Sequence, residues 1–384
     1  MKTVALGEIA EVVSGATPKT GVAEFWDGDV EWATPADLSK LDGAYISTTP
    51  RKITQAGVRS CATTILPKGS VLLSSRAPIG HVAINTVPMA TNQGFKSLVP
   101  GPGLDAKYLY HWLRSKTDYL QSLGNGATFK ELSRKTTEKI PVPLPSLTEQ
   151  RRIAAILDQA DALRTKRRQV LAHLDSLTQA MFHDMFGDPV TNSRGLPTAA
   201  IGDLAEVVTG NSPSRAEASN FGQSIEWIKS DNLGGDTATR ADEWLSEHGR
   251  ARARIAPTGS ILVTCIAGSP TSIGKASLVD RDVAFNQQIN AILPSPRVMA
   301  AFLLGQLKVS PQLVRAKSTG GMKGLVNKSS FQSIRVLYPT SDSQHEFAQR
   351  VAAMTSQRSI AARALTYCEE LFASLQSRAF RGDL

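Results

Sequence analysis

Ser146-Leu147-Thr148-Glu149-Gln150 opens a stretch that runs to Phe186 and is closed by Gly187-Asp188-Pro189, and its reading decides how the chain is organised. Ser146 with Glu149 three residues on is a capping box, and the only glycine or proline after it is the stop itself, so one long helix is expected. Ile153, Ile156, Ala160, Leu163, Val170, Leu174, Leu177 and Met181 recur at alternating spacings of three and four, a heptad seam interrupted by Arg167. A helix of about 40 residues is ~60 Å long at 1.5 Å per residue, more than one domain core covers, and it calls for a partner helix.

The chain supplies one. A shift of 194 residues maps Pro145 onto Pro339, Ile153 onto Phe347, Ala160 onto Met354, Leu177 onto Leu371, Met181 onto Leu375 and Phe186 onto Phe380. Arg350 and Gln357 replace two apolar members, and Val351 and Leu365 stand close enough to share the burial. The expectation is one helix packed on the other; the alternative is that each packs on its own domain.

The repeat extends through the rest of the chain. Leu6-Gly7-Glu8-Ile9-Ala10-Glu11-Val12-Val13-Ser14-Gly15 returns as Ile201-Gly202-Asp203-Leu204-Ala205-Glu206-Val207-Val208-Thr209-Gly210. Glu31-Trp32 and Glu226-Trp227, Gly69 to Leu72 and Gly259 to Leu262, and Asn92-Gln93 and Asn286-Gln287 follow in the same order. Short aliphatic runs, Ser70 to Ser74, Val82 to Ile84, Ser260 to Cys265 and Ala291 to Leu293, read as strands. Asp105 to Leu123 and Arg297 to Lys317 read as helices, and the runs before Pro145 and Pro339 as extended chain. Strands first and helices later favour an α+β fold. The resulting plan has globular parts at 1–145 and 188–340, each followed by a long helix, at 146–187 and 341–384.

At 384 residues and 41% hydrophobic content the chain has ample material for two cores. Lys and Arg number 43 against 34 Asp and Glu, a net charge of +9 that points toward a polyanionic partner. Cys61, Cys265 and Cys368 are too dispersed for a zinc ribbon or a disulfide framework, and a reducing cytoplasm is expected. The N-terminus lacks the basic and apolar runs of a signal peptide, and no apolar run of membrane-spanning length occurs.

Enzymatic motifs fail one by one. Gly268 to Lys275 resembles a phosphate-binding loop, but its glycines are misspaced and Ala276 stands where Ser or Thr must hold magnesium. No dinucleotide-binding glycine pattern follows a strand, no Pro-Pro dipeptide exists for an amino-methyltransferase motif, and the six histidines form no i, i+4 metal pair. What remains is basic side chains on expected loops: Arg51, Lys52, Arg59, Lys68, Arg76 and Lys130 in the first copy, and Lys229, Arg250, Arg252, Arg254, Lys275, Lys317 and Lys323 in the second. The alternation of Arg250, Arg252 and Arg254 would project three guanidinium groups to one side of an extended segment, where they could clamp phosphates or guanine edges. A solvated charged face is the plainer alternative for any one of them. The recurring Asn-Gln pairs suit a framework role, and the Gly-rich loops at 124–130 and 318–324 suit either tight turns or close approach of amides to phosphate.

The whole chain resembles the specificity subunit of type I restriction-modification systems. The resemblance rests on the duplicated order together with Arg76-Ala77-Pro78-Ile79-Gly80, Asn92-Gln93-Gly94-Phe95, and Pro143-Leu144-Pro145 leading into Glu149-Gln150. In the second copy Ser272-Ile273-Gly274, Asn286-Gln287-Gln288 and Ser343-Gln344 depart from the pattern. The resemblance implies two target recognition domains, each reading half of a split double-stranded DNA site, held apart by two long antiparallel helices in a coiled coil. It also implies a non-catalytic chain that docks two methyltransferase subunits and up to two motor-nuclease restriction subunits. S-adenosylmethionine, ATP and magnesium would belong to those partners. The rival reading is a coiled-coil adaptor whose basic domains bind protein.

Overall fold

The computed structural model describes residues 2–76, 78–126, 130–319 and 324–384. Helix and strand are mixed throughout, and the chain forms two compact units, one of residues 1–167 with 364–384 and the other of residues 168–363. Among the described residues no helix is long and apolar enough to cross a membrane.

Two long helices, Leu147–Phe186 and Ser341–Arg381, end where local chemistry ends them. The Ser146 hydroxyl accepts the Glu149 amide at 3.3 Å, and Gly187 takes a positive φ of 76° at the far end. The second half of the expected capping box is replaced, because the Glu149 carboxylate accepts from the Arg152 guanidinium at 2.7 and 2.8 Å.

In the first unit a five-stranded sheet runs in the order Ala10–Ser14, Lys96–Pro100, Val71–Leu73, Val82–Asn85, Tyr45–Ile46. Beside it, Trp26–Ala33 pairs antiparallel with Lys52–Ile53 and parallel with Met89–Thr91. The aliphatic faces close on a helix at Ala106–Ser115, giving a core of Val71, Leu98, Tyr108, Trp112 and Leu113. Ile153, Leu157 and Ala160 from the first long helix join this core, as do Phe372 and Ala379 from the second. Arg152, near the start of one helix, donates to the carbonyl of Leu384, just past the end of the other, at 2.7 Å, so within this unit the two segments run antiparallel.

The second unit repeats the plan. Its first sheet is ordered Val207–Thr209, Ile289–Ile292, Ile261–Thr264, Ala276–Leu278, and its second sets Phe221–Ile228 between Trp244–Leu245 and Val283–Phe285. The Trp32↔Ala90 register of the first unit returns as Trp227↔Ala284. Phe182 and Phe186, near the end of the first long helix, pack on Phe302 and on Phe347, near the start of the second. Four buried phenyl rings at centroid separations of 5.0 to 6.3 Å make this the aromatic heart of the unit.

Three expectations need correcting. Leu163, Val170, Leu177 and Leu371 are 41–51% exposed and do not lie in the helix packing. The buried face is Ile153, Leu157, Ala160, Phe182 and Phe186 on one helix and Phe347, Phe372 and Ala379 on the other, with Ile156, Leu174, Met181, Val351, Met354, Leu365 and Leu375 half-buried. A strict heptad falls behind a 3.6-residue helix by ~20° per repeat, so four repeats from Ile153 place Met181 about 80° off and Phe182 on the true face. The helices expected over 105–123 and 297–317 are each broken, into Ala106–Ser115 with Thr117–Ser122 and Ala300–Val309 with Gln312–Arg315. Pro311, which cannot donate to the preceding turn, explains the second break.

Candidate nucleic-acid interface

In the first unit the strand Trp26–Ala33 sends Trp26 and Trp32 to one face, six residues apart, and Glu31 to the other. The indoles meet edge to face at 5.1 Å, and their N–H groups donate to the carbonyls of Lys19 at 3.2 Å and Ala16 at 3.1 Å, which pins the loop after Ser14. The Arg51 guanidinium lies 3.7 Å from the Trp26 ring centroid and 5.4 Å from that of Trp32. The indoles are buried and Arg51 is exposed above them; such a surface cation–π contact is worth about 0.5–1 kcal/mol and leaves the in-plane N–H donors aimed sideways. Glu31, 9% exposed, accepts from the Thr49 amide at 2.6 Å and from Lys52 at 2.6 Å, fixing the segment that carries Arg51. Burial disfavours its charge, but the Lys52 and Thr49 hydrogen bonds outweigh this and hold its pKa below the usual carboxylate range.

The second unit builds the same place from different side chains. Phe221 and Trp227, again six apart, carry Arg215 at 5.9 and 5.8 Å, and Lys229 lies 5.2 Å from Trp227. Both cations pair with Glu243, whose pKa is lowered first by the Lys229 hydrogen bond. Trp227 donates to the Asn211 carbonyl at 3.4 Å, the counterpart of the Trp32 contact. Behind the strand, Glu226 is 3% exposed and accepts from Arg240 at 2.6 Å, Arg281 at 3.0 Å and the Ala241 amide at 3.1 Å. Burial opposes its charge, yet these donors prevail and hold it at about 2.

Of the residues singled out from sequence, Arg51 stands on the aromatic shelf of the first unit and Lys229 on that of the second. Lys52 is tied to Glu31, and Arg76 pairs with Glu131 at 3.7 Å. Arg59, Lys68, Lys130, Arg250, Lys275 and Lys317 are exposed. Lys323, and the parts of the Gly-rich loops at 127–129 and 320–323, lie outside the described residues.

The alternating arginines are the main correction. Glu247–Arg252 is a helix, capped by Ser246 accepting the Gly249 amide at 3.1 Å. Arg250 and Arg252 therefore point about 200° apart instead of to one side. Arg252 pairs with Glu217 at 2.8 Å, and Arg254 lies past the helix, its amide donating to Asn211 Oδ1 at 2.7 Å.

Sequence reasoning missed Arg215 and the aromatic pairs, whose signal was the repeated six-residue spacing. The Asn-Gln pairs split their work. Asn92 and Asn286 accept local amides, from Gly94 at 2.8 Å and Gln288 at 3.1 Å, whereas Gln93 and Gln287 are exposed and bonded to the hydroxyls of Thr17 and Ser212. Cys265 is buried among apolar groups, which pushes its thiol up to about 12. Among the described residues no three His, Cys, Asp or Glu side chains could hold a metal ion. What the two places share is aromatic-backed cations on anchored loops, an arrangement suited to phosphate and base edges.

Comparison with known proteins points the same way. The family model for the type I restriction modification DNA specificity domain matches residues 1–173 and 196–364. The MjaIX type I restriction enzyme specificity subunit of Methanocaldococcus jannaschii is 33% identical over 257 residues, covering 62% of this chain and 60% of that protein. The EcoR124I/EcoR124II specificity subunit of Escherichia coli is 30% identical over 165 residues, 41% of this chain and 40% of that one. Each alignment thus spans less than two thirds of the relative. A solved chain from a study of complex assembly and conformational transition of the type I restriction-modification system matches with TM-score 0.64 at 17% identity, covering 100% of this chain and 98% of that one. The type I S subunit of M. genitalium matches at 0.60 and 14% identity, covering 99% and 96%. At these identities the structural matches establish a shared fold.

Proposed function

The chain belongs to the family defined by the type I restriction-modification DNA specificity domain, and from that premise we propose that it is the DNA-reading, non-catalytic subunit of a type I complex. Each unit reads one half of a bipartite, asymmetric duplex site, the loops of 1–145 one half and those of 188–340 the other. The long helices at 146–187 and 341–384 set the gap between the halves. Two methyltransferase subunits, and in the restricting assembly up to two restriction subunits, supply the chemistry. They carry the S-adenosylmethionine, ATP and magnesium.

One observation carries this reading: two copies of one frame hold different cations at the same place. Trp32 and Trp227 share a register, yet Arg51 occupies one shelf and Arg215 with Lys229 the other. A common frame with unlike reading groups suits an asymmetric site. Docking is supported by exposed apolar side chains on the long helices, Leu163, Tyr367 and Leu371 in the first unit and Val170, Leu177 and Ile360 in the second.

The test is methylation mapping with the purified chain plus its methyltransferase subunits. The expected result is modification confined to one two-part sequence and absent when either protein is omitted. Methylation by the chain alone, or unchanged site choice when a different specificity chain is substituted, would overturn it.

A further inference from the structure

The internal repeat allows the two aromatic shelves to be compared residue by residue. Glu31 faces Lys52 across the first strand pair and Glu226 faces Trp244 across the second, and the register slips at the same place in both, between Trp26 and Val30 and between Phe221 and Ile225. Position 51 is therefore the counterpart of position 243. The backbone agrees, since Trp32 N–H donates to the Arg51 carbonyl at 3.3 Å and Trp227 N–H to the Glu243 carbonyl at 3.0 Å. So does the following turn, where Thr54 accepts the Gly57 amide and Ser246 the Gly249 amide.

At this shared position the two units carry opposite charges. Arg51 is exposed over Trp26 and Trp32. Glu243 instead accepts from Nη2 of Arg215 at 2.9 and 3.2 Å and from the Lys229 ammonium. The offset of 195 that relates the opening strands puts Thr20 at the place of Arg215 and Thr34 at that of Lys229. One cation with two hydroxyls in the first unit and two cations with one carboxylate in the second carry the same net charge. Attraction to phosphate follows net charge and is matched between the two sets. Base preference follows the arrangement of donors and acceptors, and there the sets differ. The first offers one guanidinium, while the second sets a carboxylate between two cations that would otherwise repel each other on flexible stems.

We propose that these three positions determine which bases each unit prefers, with Glu243 as the positioning residue that holds Arg215 and Lys229 at a fixed separation beside Trp227. This set deepens the DNA-reading assignment on which it rests, by placing the difference between the half-sites at named residues.

Selection of bound duplexes from a randomised pool, with the chain assembled with its methyltransferase subunits, tests it on the parent and two variants. In one, Arg215→Thr, Lys229→Thr and Glu243→Arg together give the second unit the first unit's set without altering the net charge. The block read by the first unit should stay as it was, the other block should change its preferred base at one position or more by about tenfold, and affinity for unrelated duplex should stay within about twofold. In the other, Glu243→Gln frees both cations. The slope of log affinity against log salt for unrelated duplex should steepen by about one, while discrimination within the second block falls about tenfold. Glu243→Asp, which keeps the charge, should leave the salt slope at the parent's value; a purely structural role for Glu243 would not move that slope. A second block that keeps its preferences in either variant overturns this inference alone, whereas a parent that enriches no sequence overturns the DNA-reading assignment and this inference with it.

Discussion

Replacing Glu226 by Gln should be among the costlier single changes in the second unit. The carboxylate is 3% exposed and meets Arg240 and Arg281 as well as the Ala241 amide. A carboxyl held at about 2 instead of 4.5 corresponds to roughly 3 kcal/mol, at about 1.4 kcal/mol per pH unit. Removing one partner of a buried ion pair costs about 3–5 kcal/mol by a separate route, because Arg281 is left facing an amide. The sign follows from the lowered pKa: the stabilisation is complete above pH 4.5 and is lost as pH falls toward 2. Urea unfolding at pH 7 and at pH 3, followed by hydrogen exchange at the Ala241 amide, should show the parent losing its advantage over Glu226→Gln in acid. Equal stability at pH 7, or a gap that does not narrow in acid, would refute the reasoning.

Phe182→Ala or Phe347→Ala should destabilise the second unit by about 3–5 kcal/mol in denaturant titration, whereas Leu177→Gln, on the exposed side of the same long helix as Phe182, should stay within about 0.5 kcal/mol. Arg51→Ala should weaken binding about 10- to 100-fold to duplexes carrying the first unit's half-site, read by fluorescence anisotropy, with Arg51→Lys restoring salt dependence but not base discrimination. Arg215→Ala should act on the other half-site alone. Cys265 should resist iodoacetamide in the native protein at pH 8 while Cys61 reacts, as mass spectrometry of the peptides would show.

What could be read from residues alone was local or repeated. Ser146 and Gly187 announce their helix because capping depends on a few neighbouring atoms, and the duplicated opening at Leu6 and Ile201 announces two copies of one frame. The buried face of the long helices was less legible, since a strict heptad drifts off a 3.6-residue helix and Phe182 displaces Met181 within four repeats. The arginine run at 250–254 was misread because alternation suggests a strand, while Ser246 as an N-cap, the signal for the helix, lies four residues earlier. The cation shelf eluded reading by charge alone. Arg51 gains its place on Trp26 and Trp32 because the neighbouring Lys52–Ile53 pairs with their strand, and Arg215 reaches Phe221 and Trp227 from a turn, so neither follows from charge.

Selection of bound duplexes from a fully randomised pool, using the chain assembled with its methyltransferase subunits, tests the central claim most directly. Two short fixed sequence blocks, differing from each other and separated by an unspecified gap of constant length, are expected. Recovery of a single continuous block, or of no enriched sequence at all, would contradict it.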